Sequence, residues 1–153
     1  MPGKKPHTLP EKKNSYRLKL PADSANLDII RKFIAGIAEN MGFSEEDIYQ
    51  IELAVDEACA NVIKHAYIGA NTREKEIHVR VKTRAKKIEI TIADRGIGFN
   101  PNSIKTPNME EYLKRMKPGG LGLHLIKTLM DKVSFRINPG VRNEVKMSKS
   151  LVK

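Results

Sequence analysis

The chain has 153 residues, 40% hydrophobic and 30% charged, the balance of one folded domain with a core of its own. No apolar run reaches the roughly 20 residues that span a bilayer, and the first residues lack the apolar stretch of a secretion signal. The lone cysteine, Cys59, excludes an internal disulfide or a multi-cysteine zinc site, so the expected compartment is the cytoplasm and no membrane partner is expected.

A net charge of +10 calls for anionic partners. Against direct nucleic-acid binding stand 5% aromatics, the absence of tryptophan, and cations spread along the whole chain.

Residues 1–15 carry Gly3, Pro2, Pro6 and Pro10 among charges and read as a flexible basic tail; residues 16–153 read as one domain. Tyr16, Leu18 and Leu20 alternate with Arg17 and Lys19, which predicts a short strand broken by Pro21. Asp23 or Ser24 can cap the helix that follows to about Met41. Its apolar residues Leu27, Ile30, Ile34, Ile37 and Met41 keep to one face, and Gly42 ends it. Ser44 with Asp47 makes a loose capping box for a second helix from Glu45 to Ala66.

Two alternating strands follow, one carrying Ile77, Val79 and Val81, the other Ile88, Ile90 and Ile92, joined as a hairpin around residues 84–87. Residues 100–120 hold three prolines without sustained periodicity, the length and composition of a lid. A helix over 121–132 and two strands near 133–137 and 144–151, joined across Asn138-Pro139-Gly140, complete the chain. Strand pairs with grouped helices predict an α+β fold, a two-layer sandwich.

Three patterns carry chemistry. In the second helix Glu57, Asn61 and His65 recur every four residues and share one stripe, beside the apolar stripe Ile51, Val55, Ala58 and Val62. The pattern suits a half-exposed helix. It equally suits a cleft in which an amide oxygen binds Mg²⁺ and a carboxylate takes a proton from a hydroxyl. Asp56 turns about 100° away, toward solvent.

Second, the strand ending at Asp94 runs into Gly96 and Gly98. Alone this reads as a plain turn, although Asp94 could accept a hydrogen bond from an exocyclic amine such as that of adenine. Third, Gly119, Gly120 and Gly122, with Leu121 between them, open a helix. The residues leave a phosphate cradle and a hinge equally open. Cys59 reads as a small core residue, and no two of His65, His78 and His124 have metal-ligand spacing.

Taken together and in order, these patterns resemble the N, G1 and G2 boxes of the histidine-kinase-like (GHKL) ATPase superfamily. The run from Asp56 and Glu57 through Asn61 and His65 to Tyr67, and the run from Gly119 to Val133, resemble its anti-sigma factor serine-protein kinases of the RsbW/SpoIIAB type. The resemblance covers residues 16–151.

It implies the Bergerat sandwich with a mixed, mostly antiparallel sheet, and ATP with Mg²⁺ as cofactors. Glu57 would be the general base and Asn61 the Mg²⁺ ligand. Asp94 would meet the adenine amine, with Gly96 and Gly98 shaping the base pocket. Gly119, Gly120, Leu121 and Gly122 would wrap the phosphates. Residues 100–118 would be the ATP lid, with Lys114, Arg115 or Lys117 at the terminal phosphate. The implied partners are a small anti-sigma factor antagonist bearing the acceptor serine or threonine, a sigma factor, and a second copy in a homodimer. A nucleotide-holding module without transfer, or a detached histidine-kinase catalytic domain, are the alternatives. No acceptor-histidine hairpin precedes the first strand, which counts against the second.

Overall fold

The computed structural model describes residues 13–67, 75–96 and 121–151. Its elements follow the predicted order. Strand β1 (Asn14–Pro21) leads through a 3₁₀ turn (Ser24–Asn26) into α1 (Leu27–Met41) and α2 (Glu45–Asn61). Strands β2 (Glu76–Arg84) and β3 (Lys87–Asp94), helix α3 (Leu121–Leu129), and strands β4 (Lys132–Asn138) and β5 (Arg142–Ser150) complete it. β1 takes in Asn14 and Ser15, two residues assigned above to the tail, because they pair with Thr83 and Lys82.

Local chemistry sets the helix ends. Asp23 accepts a hydrogen bond from the Ala25 N–H (2.9 Å) at the 3₁₀ turn. Gly42 closes α1 at φ 98°, a left-handed conformation that only glycine adopts cheaply, with its N–H on the Ala38 and Glu39 carbonyls. Ser44 Oγ accepts from the Asp47 N–H at 3.1 Å, and Glu45, Glu46 and Asp47 complement the positive end of α2. α3 stops at Leu129, short of the expected Lys132, since residue 132 already belongs to β4.

The five strands lie in the order β1-β2-β3-β5-β4, and all four ladders are antiparallel. One face carries the core: Ile77, Val79, Val81, Ile88, Ile90, Ile92, Val145 and Met147 pack beneath Ile30, Ile34, Ile37, Ile51, Val55, Ala58 and Ile126. Each fully buried Ile or Val contributes about 1.5–3 kcal/mol relative to exposure, so this layer dominates stability. The helices lie on this face, with α1 and α3 both packed on α2. Arg31 Nε donates to both oxygens of Asp56 at 3.2 Å, tying α1 to α2, so Asp56 is paired rather than merely solvated. No described helix is long and apolar enough to cross a membrane.

Candidate functional site

The site grows from the end of α2. Val62 and the residues after it are not α-helical: Val62–Ala66 wind as a π-helical turn. Bonding from i to i+5 adds a residue per turn, so the four-residue repeat that aligned Glu57 and Asn61 does not carry on to position 65. Glu57 and Asn61 keep their shared stripe one turn apart, and Glu57 is half-buried. Asn61 is buried (6% exposed), and its Oδ1 has no hydrogen-bond partner among the described residues. A buried amide oxygen left unpaired costs about 1–3 kcal/mol, so it is kept where a ligand completes it. A hard, neutral oxygen of this kind fits a Mg²⁺ ligand.

The end of β3 meets this turn directly. A Cβ built on Gly96 would fall inside the backbone carbonyl of Ala66 and 2.9 Å from the Ala66 Cβ. Only glycine lets the strand end approach the π turn so closely, and this contact joins the first two sequence patterns into one region. Tyr67 reinforces the junction. Its hydroxyl donates to the Glu76 carbonyl (2.6 Å) and accepts from the N–H of Glu76 (3.1 Å) and of Arg95 (3.3 Å). Burial raises the Tyr67 phenol above its ordinary value, and the Arg95 and Glu76 backbone bonds oppose that shift.

Asp94 is 4% exposed. Burial raises its carboxyl above the ordinary value, opposed by hydrogen bonds from Asn143 and the Gly96 N–H and, further off, by His78 and Arg142. Both bonds land on Oδ1: Gly96 N–H at 2.8 Å and Asn143 Nδ2 at 2.9 Å. Among the described residues no hydrogen bond reaches Oδ2. Asn143 faces Asp94 across the β3–β5 ladder. It also donates to the Gly96 carbonyl (2.8 Å), while its Oδ1 accepts from the Asn138 N–H (3.1 Å).

The β4–β5 turn supports the same point. Pro139 and Gly140 are its central residues, with Gly140 at φ 80° and the Val141 N–H on the Asn138 carbonyl at 3.0 Å, a type II turn. From this turn the Gly140 N–H reaches the Gly96 carbonyl at 3.1 Å.

Cys59 is fully buried in the core and its thiol is pushed up to about 12, first by burial and then by Asp56. It is a packing residue, as expected. Leu121 and Gly122 lie in the first turn of α3, which packs on α2. Gly98, Lys114, Arg115, Lys117, Gly119, Gly120 and the lid over 100–118 fall outside the described residues.

Two residues that hold the candidate site together escaped the sequence reading. Asn143 has no local signal, because its role appears only when β5 is laid against β3. Tyr67 stood in a recognised run, and a tyrosine directly after an apolar helix was the available hint.

The chain is similar to known proteins in sequence and in fold. Residues 20–149 match the Histidine kinase-like ATPase domain family. The chain is 38% identical over 138 residues to serine-protein kinase RsbW of Bacillus licheniformis, an alignment covering 88% of this chain and 84% of that one. It is 37% identical over 129 residues to serine-protein kinase RsbW of Bacillus pumilus, covering 81% and 79%. Its fold is shared with the crystal structure of the RsbU and RsbW domains of Rv1364c from Mycobacterium tuberculosis, with a TM-score of 0.64 at 16% identity, spanning 92% of this chain and 35% of that longer one. A buried amide beside an α2–β3 junction closed on glycine, within a match over most of the chain, settles the family: the protein belongs to the RsbW serine-protein kinases of the histidine kinase-like ATPase domain family.

Proposed function

We propose that this serine-protein kinase transfers the terminal phosphoryl group of ATP to a serine or threonine hydroxyl on an anti-sigma factor antagonist, and that it sequesters a sigma factor when the antagonist is phosphorylated. The observation that carries the reading is the orphaned, buried Oδ1 of Asn61, one helical turn from Glu57. Among the described residues no cluster of three or more His, Cys, Asp or Glu could hold a metal. A divalent ion here would therefore rest on Asn61 and on the nucleotide phosphates, the usual habit of Mg²⁺. Bound Mg²⁺ would supply charge neutralisation for the phosphates.

The chain's own residues do the rest. Asp94 Oδ2 accepts from the adenine amine, while Asn143 and the Gly96 N–H hold Oδ1. Gly96 and Gly98 shape the base pocket. Gly119, Gly120, Leu121 and Gly122 bring backbone N–H groups to the phosphates at the start of α3. One of Lys114, Arg115 and Lys117 offsets charge at the terminal phosphate from the lid. Glu57 takes the proton of the acceptor hydroxyl as its oxygen bonds to phosphorus. The added charge of about −1.5 to −2 on the acceptor then weakens docking and frees the kinase for its sigma factor. A homodimer working in the cytoplasm completes the reading.

The test is phosphorylation of the candidate antagonist by Glu57→Gln, beside ATP calorimetry. Transfer should fall by roughly two to four orders of magnitude with ATP affinity nearly unchanged. Unchanged transfer removes Glu57 as base. Phosphate recovered on a histidine of this chain, stable to base and labile to acid, rejects serine transfer.

A further inference from the structure

The cations that look scattered along the sequence are gathered by the fold. Strand alternation sends Ile77, Val79 and Val81 to the helices and His78, Arg80, Lys82 and Arg84 to the opposite face of the sheet. β1 adds Arg17 and Lys19 to that face, and β3 adds Lys87. Its carboxylates, Glu76, Glu89 and Glu144, are already engaged with His78 (3.2 Å), Lys146 (3.8 Å) and Arg142 (2.8 Å). Arg17, Lys19, Arg80, Lys82, Arg84 and Lys87 have no ion-pair partner among the described residues.

The register sharpens this. Arg17 lies directly opposite Arg80 and Arg84 opposite Lys87, while Lys82 faces Glu89. Like charges in opposed cross-strand positions destabilise a sheet, so a merely solvated face has no reason to stack them. A bound polyanion removes that cost. Two concavities follow the same strands, one of about 610 Å³ with Arg17, Lys19 and Arg80, one of about 500 Å³ with Lys82, Arg84 and Lys87 beside the carboxylate of Glu89.

We propose that this open face of the sheet, centred on the opposed Arg17 and Arg80, is a docking surface for the phosphate backbone of double-stranded nucleic acid. The composition selects that occupant. The strand residues on this face include no aromatic and no large apolar side chain, whereas the centre of a protein–protein interface is depleted of charge and rich in aromatics. Single strands need aromatic platforms for their bases, and a membrane-bound face normally adds an apolar anchor; neither is present on these strands. Dense unpaired arginine and lysine without base-stacking groups is the footprint of sequence-independent phosphate contact. The proposal departs from the expectation drawn above from scattered cations. The proposal is independent of the kinase reading, since the nucleotide-binding residues lie toward the helices.

The test uses the full chain and a fluorescein-labelled 24-base-pair duplex of random sequence, followed by anisotropy from 50 to 200 mM NaCl. About five phosphate contacts give a log–log salt slope near −4.5, an affinity loss of roughly 500-fold across that range. The double variant Arg17→Gln/Arg80→Gln should lower the slope by about 2 units and weaken binding roughly tenfold or more at low salt. Lys32→Gln, on the outer side of α1, should change neither. Because removing opposed arginines relieves repulsion, the double variant should also keep or raise its urea midpoint, and ATP affinity should be unchanged.

No duplex binding at 50 mM salt overturns the proposal, as does equal weakening by Lys32→Gln. So does Arg17/Arg80-dependent binding seen only with polyglutamate, with phosphatidylserine vesicles, or as self-association in sedimentation. Each of those results reassigns the face to an acidic protein, a membrane or a second copy.

Discussion

Asn143→Ala isolates the device that holds Asp94. The substitution removes a donor 2.9 Å from a buried carboxylate oxygen and 2.8 Å from the Gly96 carbonyl, and an acceptor 3.1 Å from the Asn138 N–H. The Gly96 carbonyl keeps the Gly140 N–H, so its loss is small. The charged bond dominates at about 1.5–3 kcal/mol, with about 0.5–1 kcal/mol more for the Asn138 N–H, giving about 2–4 kcal/mol at neutral pH.

The loss has a pH signature. Burial already raises the Asp94 pKa in the folded chain, and losing the Asn143 bond raises it further. A group with a raised folded pKa contributes most below its unfolded value, and that contribution is lost as pH rises through the folded pKa. Wild type and variant therefore differ most where Asp94 is ionised in both. The gap narrows as pH falls through the variant's higher pKa, where Asp94 is protonated. Urea unfolding from pH 8 downward through the raised Asp94 pKa measures it, with ATP calorimetry alongside to read an expected affinity loss of about tenfold, near 1.4 kcal/mol. A cost below about 0.5 kcal/mol at neutral pH, or one equal at every pH, would refute the reasoning.

Asp94→Asn should erase the preference for ATP over GTP. It should also erase the fall in ATP affinity that wild type shows as pH drops through the raised Asp94 pKa, because only the ionised carboxylate is a pure acceptor; competition calorimetry at several pH values checks both. Gly96→Ala drives a Cβ into the Ala66 carbonyl, so it should cost about 1–3 kcal/mol in urea unfolding and weaken ATP as well; a neutral result means the π turn yields freely. Asn61→Ala should remove the Mg²⁺-dependent part of ATP affinity while leaving or improving stability, since it deletes an unpaired buried oxygen; an unchanged Mg²⁺ titration would dismiss it as a ligand. Cys59 should resist a thiol reagent at pH 8 in the native chain and react on unfolding, because its thiol is buried and pushed up to about 12; rapid native labelling contradicts the burial.

The sequence by itself determined the elements and marked the candidate groups of the site. Period-two isoleucines and valines specified β2 and β3, three-and-four spacing specified α1, and Ser44 and Gly42 marked helix ends, because each signal is local and acts through side-chain direction or backbone freedom. Glu57, Asn61 and Asp94 were legible for the same reason, as residue types at telling places in a helix or at a strand end.

Tertiary structure decided what depends on partners distant in the chain. The π winding after Asn61 and the approach of Gly96 to Ala66 show only in the folded chain, and the clamp of Asn143 on Asp94 joins residues 49 positions apart. The charge obeys the same physics. Alternation within each strand is written locally, but only the β1–β2–β3 register sets Arg17 against Arg80 and turns scattered cations into one basic face.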